Sequence, residues 1–104
     1  MLSRSAVIMA EVIVKHEQAK SRFIGTLPQI SGACVLDYRV NSNSVVDFYR
    51  TVTDAPLQGK GVAAAVVTAG FKWARESKLK VTGSCSYVES FIQKHPEWSD
   101  ISKL

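Results

Sequence analysis

The sequence predicts an α/β (α+β) domain: a mixed, mostly antiparallel sheet of about five strands, with one long crossover helix and a short C-terminal helix. Three observations carry that expectation. Residues 12–53 are a succession of β-rich runs broken by turn formers. Residues 62–78 switch to an alanine-rich run of helical period, and residues 79–82 return to strand. A strand–helix–strand order is a crossover, so the strands flanking the helix run parallel while the earlier ones follow one another antiparallel.

Taken in order, Val12-Ile13-Val14 is a short β-branched run that gives way to the polar stretch Lys15 to Lys20. Arg22 to Leu27 reads as the second strand, and Pro28 to Gly32 as a connection rich in turn formers. Ala33 to Val40 is the third strand. Asn41-Ser42-Asn43-Ser44 is a hairpin turn, because Asn tolerates left-handed backbone geometry, and Val45 to Thr53 is the fourth strand. In the helix, Val62, Val66, Ala69 and Trp73 share one face at spacings of three and four, with Val67 and Phe71 widening the stripe. Leu79 to Thr82 is the fifth strand and Ser84 to Tyr87 its exit. Glu89 to Lys94 is a short helix ended by His95-Pro96, since proline disfavours helix at the residue before it, and Glu97 to Leu104 adds one more turn.

The 104 residues fit one domain, with residues 1–10 expected as a flexible N-terminus and residues 11–104 as the folded unit. An apolar fraction of 46% against 21% charged is that of a chain able to bury a core. The net charge of +4 favours an anionic partner, such as a nucleotide-like cofactor or an acidic surface. Nucleic acid is not the expected partner, because no aromatic RNA-binding motif, zinc set or recognition-helix pattern accompanies the charge. Two cysteines and two histidines stand singly, at Cys34, Cys85, His16 and His95, which gives no metal spacing; Cys34, inside an apolar run, reads as a buried small hydrophobe. No apolar run has membrane-spanning length, so no membrane partner is expected. The expected address is cytoplasmic or nuclear, with a mitochondrial presequence fragment in Met1 to Ala10 as the alternative.

The chemistry-bearing segment is Gln58-Gly59-Lys60-Gly61-Val62-Ala63. It joins a strand to a helix. Helix-start N–H groups and the helix dipole favour an anion there, glycines allow close approach to the backbone, and Lys60 adds charge. The glycine spacing is neither that of a P-loop nor that of a dinucleotide fingerprint. A plain tight turn remains the structural alternative.

Gln58-x-x-Gly61-x-Ala63 resembles the acyl-CoA signature of the GNAT N-acetyltransferase superfamily, at the place where that family carries it. Cys85-Ser86-Tyr87-Val88, Phe91-Ile92 and His95-Pro96-Glu97-Trp98 resemble the end of a group of very short GNAT-like proteins, and Phe23, Gly32, Leu36 and Tyr38 fit its early strands. The resemblance spans about residues 12–98. One departure stands out: where the group has His-Thr-x-Val-Pro, this chain has Arg50-Thr51-Val52-Thr53-Asp54. A guanidinium cannot act as a base near neutral pH, though it can contact a phosphate.

The resemblance implies the acyl-CoA N-acyltransferase fold and an acetyl-CoA-dependent N-acetyltransferase acting on an amine, with a protein tail or a small molecule as acceptor and no metal. It implies that Thr51, Val52 and Thr53 pair with the pantetheine arm between splayed fourth and fifth strands, and that Gln58 to Ala63 hold the pyrophosphate. The acetyl group then falls near Cys85 and Tyr87. Cys85 is read as nucleophile, as acid toward the leaving thiolate, or as packing; Tyr87 as acid or wall. Val52 and Thr53 are candidate oxyanion donors, and Asp47, Asp54 and Glu89 candidate bases. Two other functions stay open: a CoA-binding module with little or no turnover, and a basic interaction domain binding another anion, such as nucleic acid. Homo-oligomerisation is left open, because so small a core has few extra elements with which to build an acceptor pocket.

Overall fold

The computed structural model describes residues 11–41 and 44–103; the N-terminal segment 1–10, Ser42 and Asn43 of the expected hairpin turn, and Leu104 lie outside them. Five strands form one sheet in the order β1 (Ile13–Glu17), β2 (Arg22–Leu27), β3 (Ile30–Asn41), β4 (Val45–Thr53), β5 (Lys80–Thr82). The first four are antiparallel neighbours, and β5 joins β4 in parallel after the crossover helix α1 (Val62–Glu76). A second helix, α2 (Ser86–Lys94), and a 3-10 turn (Pro96–Ile101) complete the chain.

β1 runs three residues past the apolar triplet. Lys15 points to solvent, and His16 turns inward to stack on Phe23 at 4.0 Å between ring centroids. β3 begins at Ile30, three residues before the expected start. The connection is a tight turn at Pro28-Gln29, with Gln29 at φ 71° and Leu27 already paired with Ile30. α2 likewise begins earlier than expected, so Ser86 and Tyr87 are helical rather than part of a loop.

The core lies between one sheet face and the helices. From the sheet it takes Phe23, Cys34, Leu36, Tyr38, Val46, Phe48 and Val81, and from α1 Val62, Val66, Val67, Phe71 and Ala74. The buried stripe of α1 therefore centres on Gly70 rather than on Ala69 and Trp73, which sit half-buried at its border. A Cβ on Gly70 would lie 3.0 Å from Phe48 and 3.1 Å from Leu36; its absence lets the sheet press against the helix. Trp73 instead packs over Tyr38, with ring centroids 4.8 Å apart. Phe91 and Trp98 stack against Phe71, which docks α2 and the 3-10 turn beside α1 on the same side of the sheet.

Candidate functional site

The site is shaped by two irregularities of β4. The first is a bulge: Asp37 faces Arg50 and Tyr38 faces Phe48, so Tyr49 is an extra residue on β4. One inserted residue inverts the side-chain alternation beyond it. Thr51 and Thr53 therefore lie opposite the buried Leu36 and Cys34, on the helix side, while Arg50 and Val52 turn to the other face. The hydroxyl of Thr53 reaches Cys34 Sγ at 3.2 Å.

The second irregularity is a fork. β5 pairs with β4 only from Val45 to Asp47, and β4 continues six residues further without it. Asp47 closes the apex of the fork. Its Oδ1 accepts hydrogen bonds from Thr82 Oγ1 at 3.2 Å and from Ser84 N and Oγ at 3.1 Å, and its Oδ2 accepts from Ser84 Oγ at 2.9 Å. Ladder phase decides which β4 backbone groups face the fork. The Asp54 N–H donates to Ala33 O at 3.0 Å, so residues 54, 52 and 50 turn their backbone groups toward β3. Thr51 and Thr53 turn theirs the other way. Of the two oxyanion candidates, Thr53 directs its N–H to the open side, and the Val52 N–H belongs to the β3 side.

At the far end of β4, a 3-10 turn (Ala55–Leu57) leads into the glycine loop. Gly59 and Gly61 have φ of 78° and 80°, a conformation that L side chains resist, and Gly61 is the N-cap of α1. Among the described residues no side chain caps that helix, so the first-turn N–H groups of Val62, Ala63 and Ala64 are left for an external acceptor. A Cβ at Gly59 or Gly61 would meet nothing within 4 Å, so the loop borders open space. Gln58 is tied back to β4 by Nε2 donating to Thr53 O at 3.1 Å.

A cleft of about 360 Å³ runs between these parts, lined by Thr51, Thr53, Leu57, Gln58, Gly59, Gly61, Val62, Ala63, Ala64 and Tyr87. A second cleft of about 630 Å³ lies beyond the loop, between Gly59-Lys60 and the turn Leu27 to Ile30. Thus Thr51, Thr53, Gln58, Gly59, Gly61, Val62, Ala63 and Tyr87 share one cleft, and Lys60 lines its neighbour. Arg50 is not among them: it stands exposed on the opposite sheet face, across from Asp37.

Cys85 stands at the mouth of the fork as N-cap of α2, its Sγ 3.6 Å from Thr51 Oγ1. Burial pushes its thiol up, but the Thr51 hydroxyl and the backbone N–H groups of Val88, Tyr87 and Thr51 together hold it below the ordinary thiol range. Tyr87 is held above the ordinary phenol range by burial and by the neighbouring Cys34 and Cys85. Of the candidate bases, Asp47 is engaged by Ser84 and Thr82, and Asp54 accepts from Ala33 N at 2.9 Å. Glu89 lies on an exposed turn of α2. None of the three lines the cleft. His95 stacks on Phe91 at 4.2 Å, a packing role. Among the described residues, no group of three or more His, Cys, Asp or Glu side chains could hold a metal ion.

Sequence reasoning missed the N-cap position of Cys85, although Ser86-x-x-Glu89 has the spacing of a helix start and places it within one residue. It also missed the Tyr49 bulge, for which the run Val45 to Thr53 carries no local signal.

Comparison with known proteins bears on this arrangement. A family model described as GCN5-related N-acetyl-transferase matches residues 23–101. No curated protein sequence matches the chain. Among solved structures, an NMR structure of a candidate GCN5-like N-acetyltransferase from Staphylococcus aureus superposes with a TM-score of 0.68 at 22% identity, over 89% of each chain. An aminoglycoside acetyltransferase from an uncultured soil metagenomic sample, solved with trehalose, superposes with a TM-score of 0.51 at 18% identity. That superposition covers 70% of this chain and 54% of the other. At these identities the likeness is one of fold.

Proposed function

The chain belongs to the GCN5-related N-acetyltransferases, and from that premise we propose that it transfers an acetyl group from acetyl-CoA to an amine. The observation that carries the reading is the fork: the edge of β4 beyond Asp47 is free of β5 and opens onto an α1 N-terminus that no side chain caps. An extended arm bearing amide groups finds strand-like partners in the Thr51 and Thr53 backbone, and a pyrophosphate finds the amides of the Gly59 to Ala63 loop. The cleft carrying Lys60 is available to the nucleotide end. Gly59 and Gly61 fit this use, because each would otherwise project a Cβ into the space where the phosphates would lie.

When bound, acetyl-CoA supplies a thioester carbonyl. The Thr53 N–H, pre-aimed at the open side of β4, is placed to stabilise negative charge on its oxygen. Tyr87, kept protonated by its burial, and the Cys85 thiol are the side chains able to return a proton to the departing thiolate. The proton leaving the amine passes to solvent, because no carboxylate or imidazole lines the cleft among the described residues.

That same absence favours a second reading: a CoA-binding module with slow turnover. Titration calorimetry with acetyl-CoA and with CoA tests what the two readings share, and Gly61→Glu should abolish binding by placing bulk and negative charge at the phosphate site. Unchanged affinity in a folded Gly61→Glu variant refutes the assignment of the loop. Mass spectrometry after mixing with a panel of amines separates the readings, since binding without any acetylated amine supports the module.

A further inference from the structure

The sheet face turned away from α1 and α2 is bare among the described residues. Ile24, Val35 and Asp37 are half-buried there, and Lys15, Arg50 and Val52 are exposed. Cross-strand pairing arranges this face in rows. One row runs Lys15, Ile24, Val35, Val52 from β1 to β4, each residue directly opposite the next. The adjacent row runs Glu17, Arg22, Asp37, Arg50. It reads minus, plus, minus, plus, and its first pair is closed by a 2.6 Å ion pair between Arg22 Nε and Glu17 Oε1.

Such a row is antisymmetric about its centre. A two-fold axis lying in the face, parallel to the strands and between β2 and β3, reverses the order of the row. Glu17 then meets Arg50 of a second copy and Arg22 meets its Asp37, and the other two contacts repeat these by symmetry. All four contacts join opposite charges. The same axis lays Ile24 against Val35 of the other copy, so the apolar centres coincide. Face-packed sheets sit about 10 Å apart with nearly aligned strands, a gap that an arginine and a carboxylate can span.

We infer that this open face is a self-association surface whose occupant is a second copy of the chain. The apolar row supplies attraction, and the charged row selects the register and rejects others. A four-strand face is smaller than the roughly 800 Å² per partner of a standard interface, so the dimer is weak and readily reversible. The acetyl-transfer cleft lies on the helix side, so dimerisation leaves it open.

The 104-residue chain should sediment with a concentration-dependent mass between monomer and dimer, and high salt should shift it toward monomer. Arg22→Asp and Asp37→Arg each oppose like charges twice in the dimer, and each should weaken association at least about tenfold. An equimolar mixture of the two variants pairs opposite charges again and should return a heterodimer in native mass spectrometry. Because each single variant also places like charges side by side within its own sheet, the quadruple variant E17R/R22D/D37R/R50D, which inverts the whole row, keeps the test decisive. Its cross-strand neighbours are again opposite in charge, it should self-associate like the wild type, and it should refuse to mix with the wild type. Free mixing, no heterodimer from the single variants, or a wild-type chain monomeric up to about 1 mM overturns the inference. Coverage of the face by residues 1–10 or by a different protein would surface as that last result.

Discussion

Thr51 and Cys85 meet across the fork between β4 and α2, with Sγ and Oγ1 3.6 Å apart. The pair bridges the two elements whose separation makes the cleft, and it brings a hydroxyl and a strand N–H to the thiol together with the first-turn amides of α2. The thiolate is therefore favoured by the fold itself. Alkylation of Cys85 should reach half-maximal rate at a pH below the ordinary thiol range, and Thr51→Val should move it upward. Cys34 serves as the internal contrast, because it is fully buried and burial pushes its thiol up. The linkage follows in sign. A thiol depressed in the native state binds fewer protons there than in the unfolded chain, so Cys85 adds stability above the unfolded thiol value and loses it as pH falls through the folded one. Cys85→Ser should flatten that part of the stability profile, as read from denaturation midpoints across alkaline pH.

His16 has the opposite charge type. Its Nε2 lies 2.6 Å from Tyr38 Oη and its ring is stacked on Phe23, and burial lowers its affinity for a proton. The unfolded chain, with a histidine near about pH 6.5, binds that proton more readily. Stability contributed by neutral His16 is thus present above that value and is lost as pH falls toward the lowered native one. His16→Gln should remove this acid-side loss, measurable as a smaller shift in urea midpoint between neutral and mildly acid solution.

Gly61 separates backbone strain from crowding. An alanine there meets no atom within 4 Å but must hold a φ near 80°. Gly61→Ala should cost about 1 kcal/mol of stability from that conformation alone. It should weaken acetyl-CoA binding by altering the loop backbone, whereas Gly61→Glu should remove binding outright. Calorimetry and thermal melting on the same two variants read both effects.

How much of this was legible beforehand depended on the range of the interaction. Strands β2 and β4 and the start of α1 are written in local composition, and so is the loop from Gln58 to Ala63. Tyr49 differs: it becomes a bulge only because Asp37 and Tyr38 pair with Arg50 and Phe48, a relation between strands that no local window contains. That single residue is why Thr51, and not Arg50 or Val52, looks toward the cleft. Asp47 and Asp54 read equally well as bases from sequence, and only their long-range partners Ser84 and Ala33 show both to be engaged elsewhere.

Asp47 gives the sharpest test of that engagement. Asp47→Ala leaves the Ser84 N–H without its acceptor and opens the apex of the fork. It should cost about 1–3 kcal/mol, with faster amide exchange along β5. Asp47→Asn keeps one acceptor oxygen and should retain most of the stability. If Asp47 were a base, Asp47→Asn would instead abolish turnover while leaving the fold intact, so acetyl transfer by this variant decides between the two roles.

Gly25 is the last point at which helix position, fold and cofactor site are joined. A Cβ built on it would lie 2.3 Å from Val66 Cγ2 and 3.0 Å from Val62 Cγ1, both fully packed on the first two turns of α1. Gly25→Ala must therefore lift the N-terminal half of the helix or distort β2, at about 1–3 kcal/mol. Because the cofactor loop ends at the N-terminus of α1, the same displacement should weaken acetyl-CoA binding although Gly25 itself does not line the cleft. Gly25→Ala with Val66→Ala removes the closer of the two collisions, the one with Val66 Cγ2, and should recover binding more fully than stability, since Val66→Ala also forfeits buried apolar contact. Equal recovery of both, or none of either, would mean that the helix position does not set the loop.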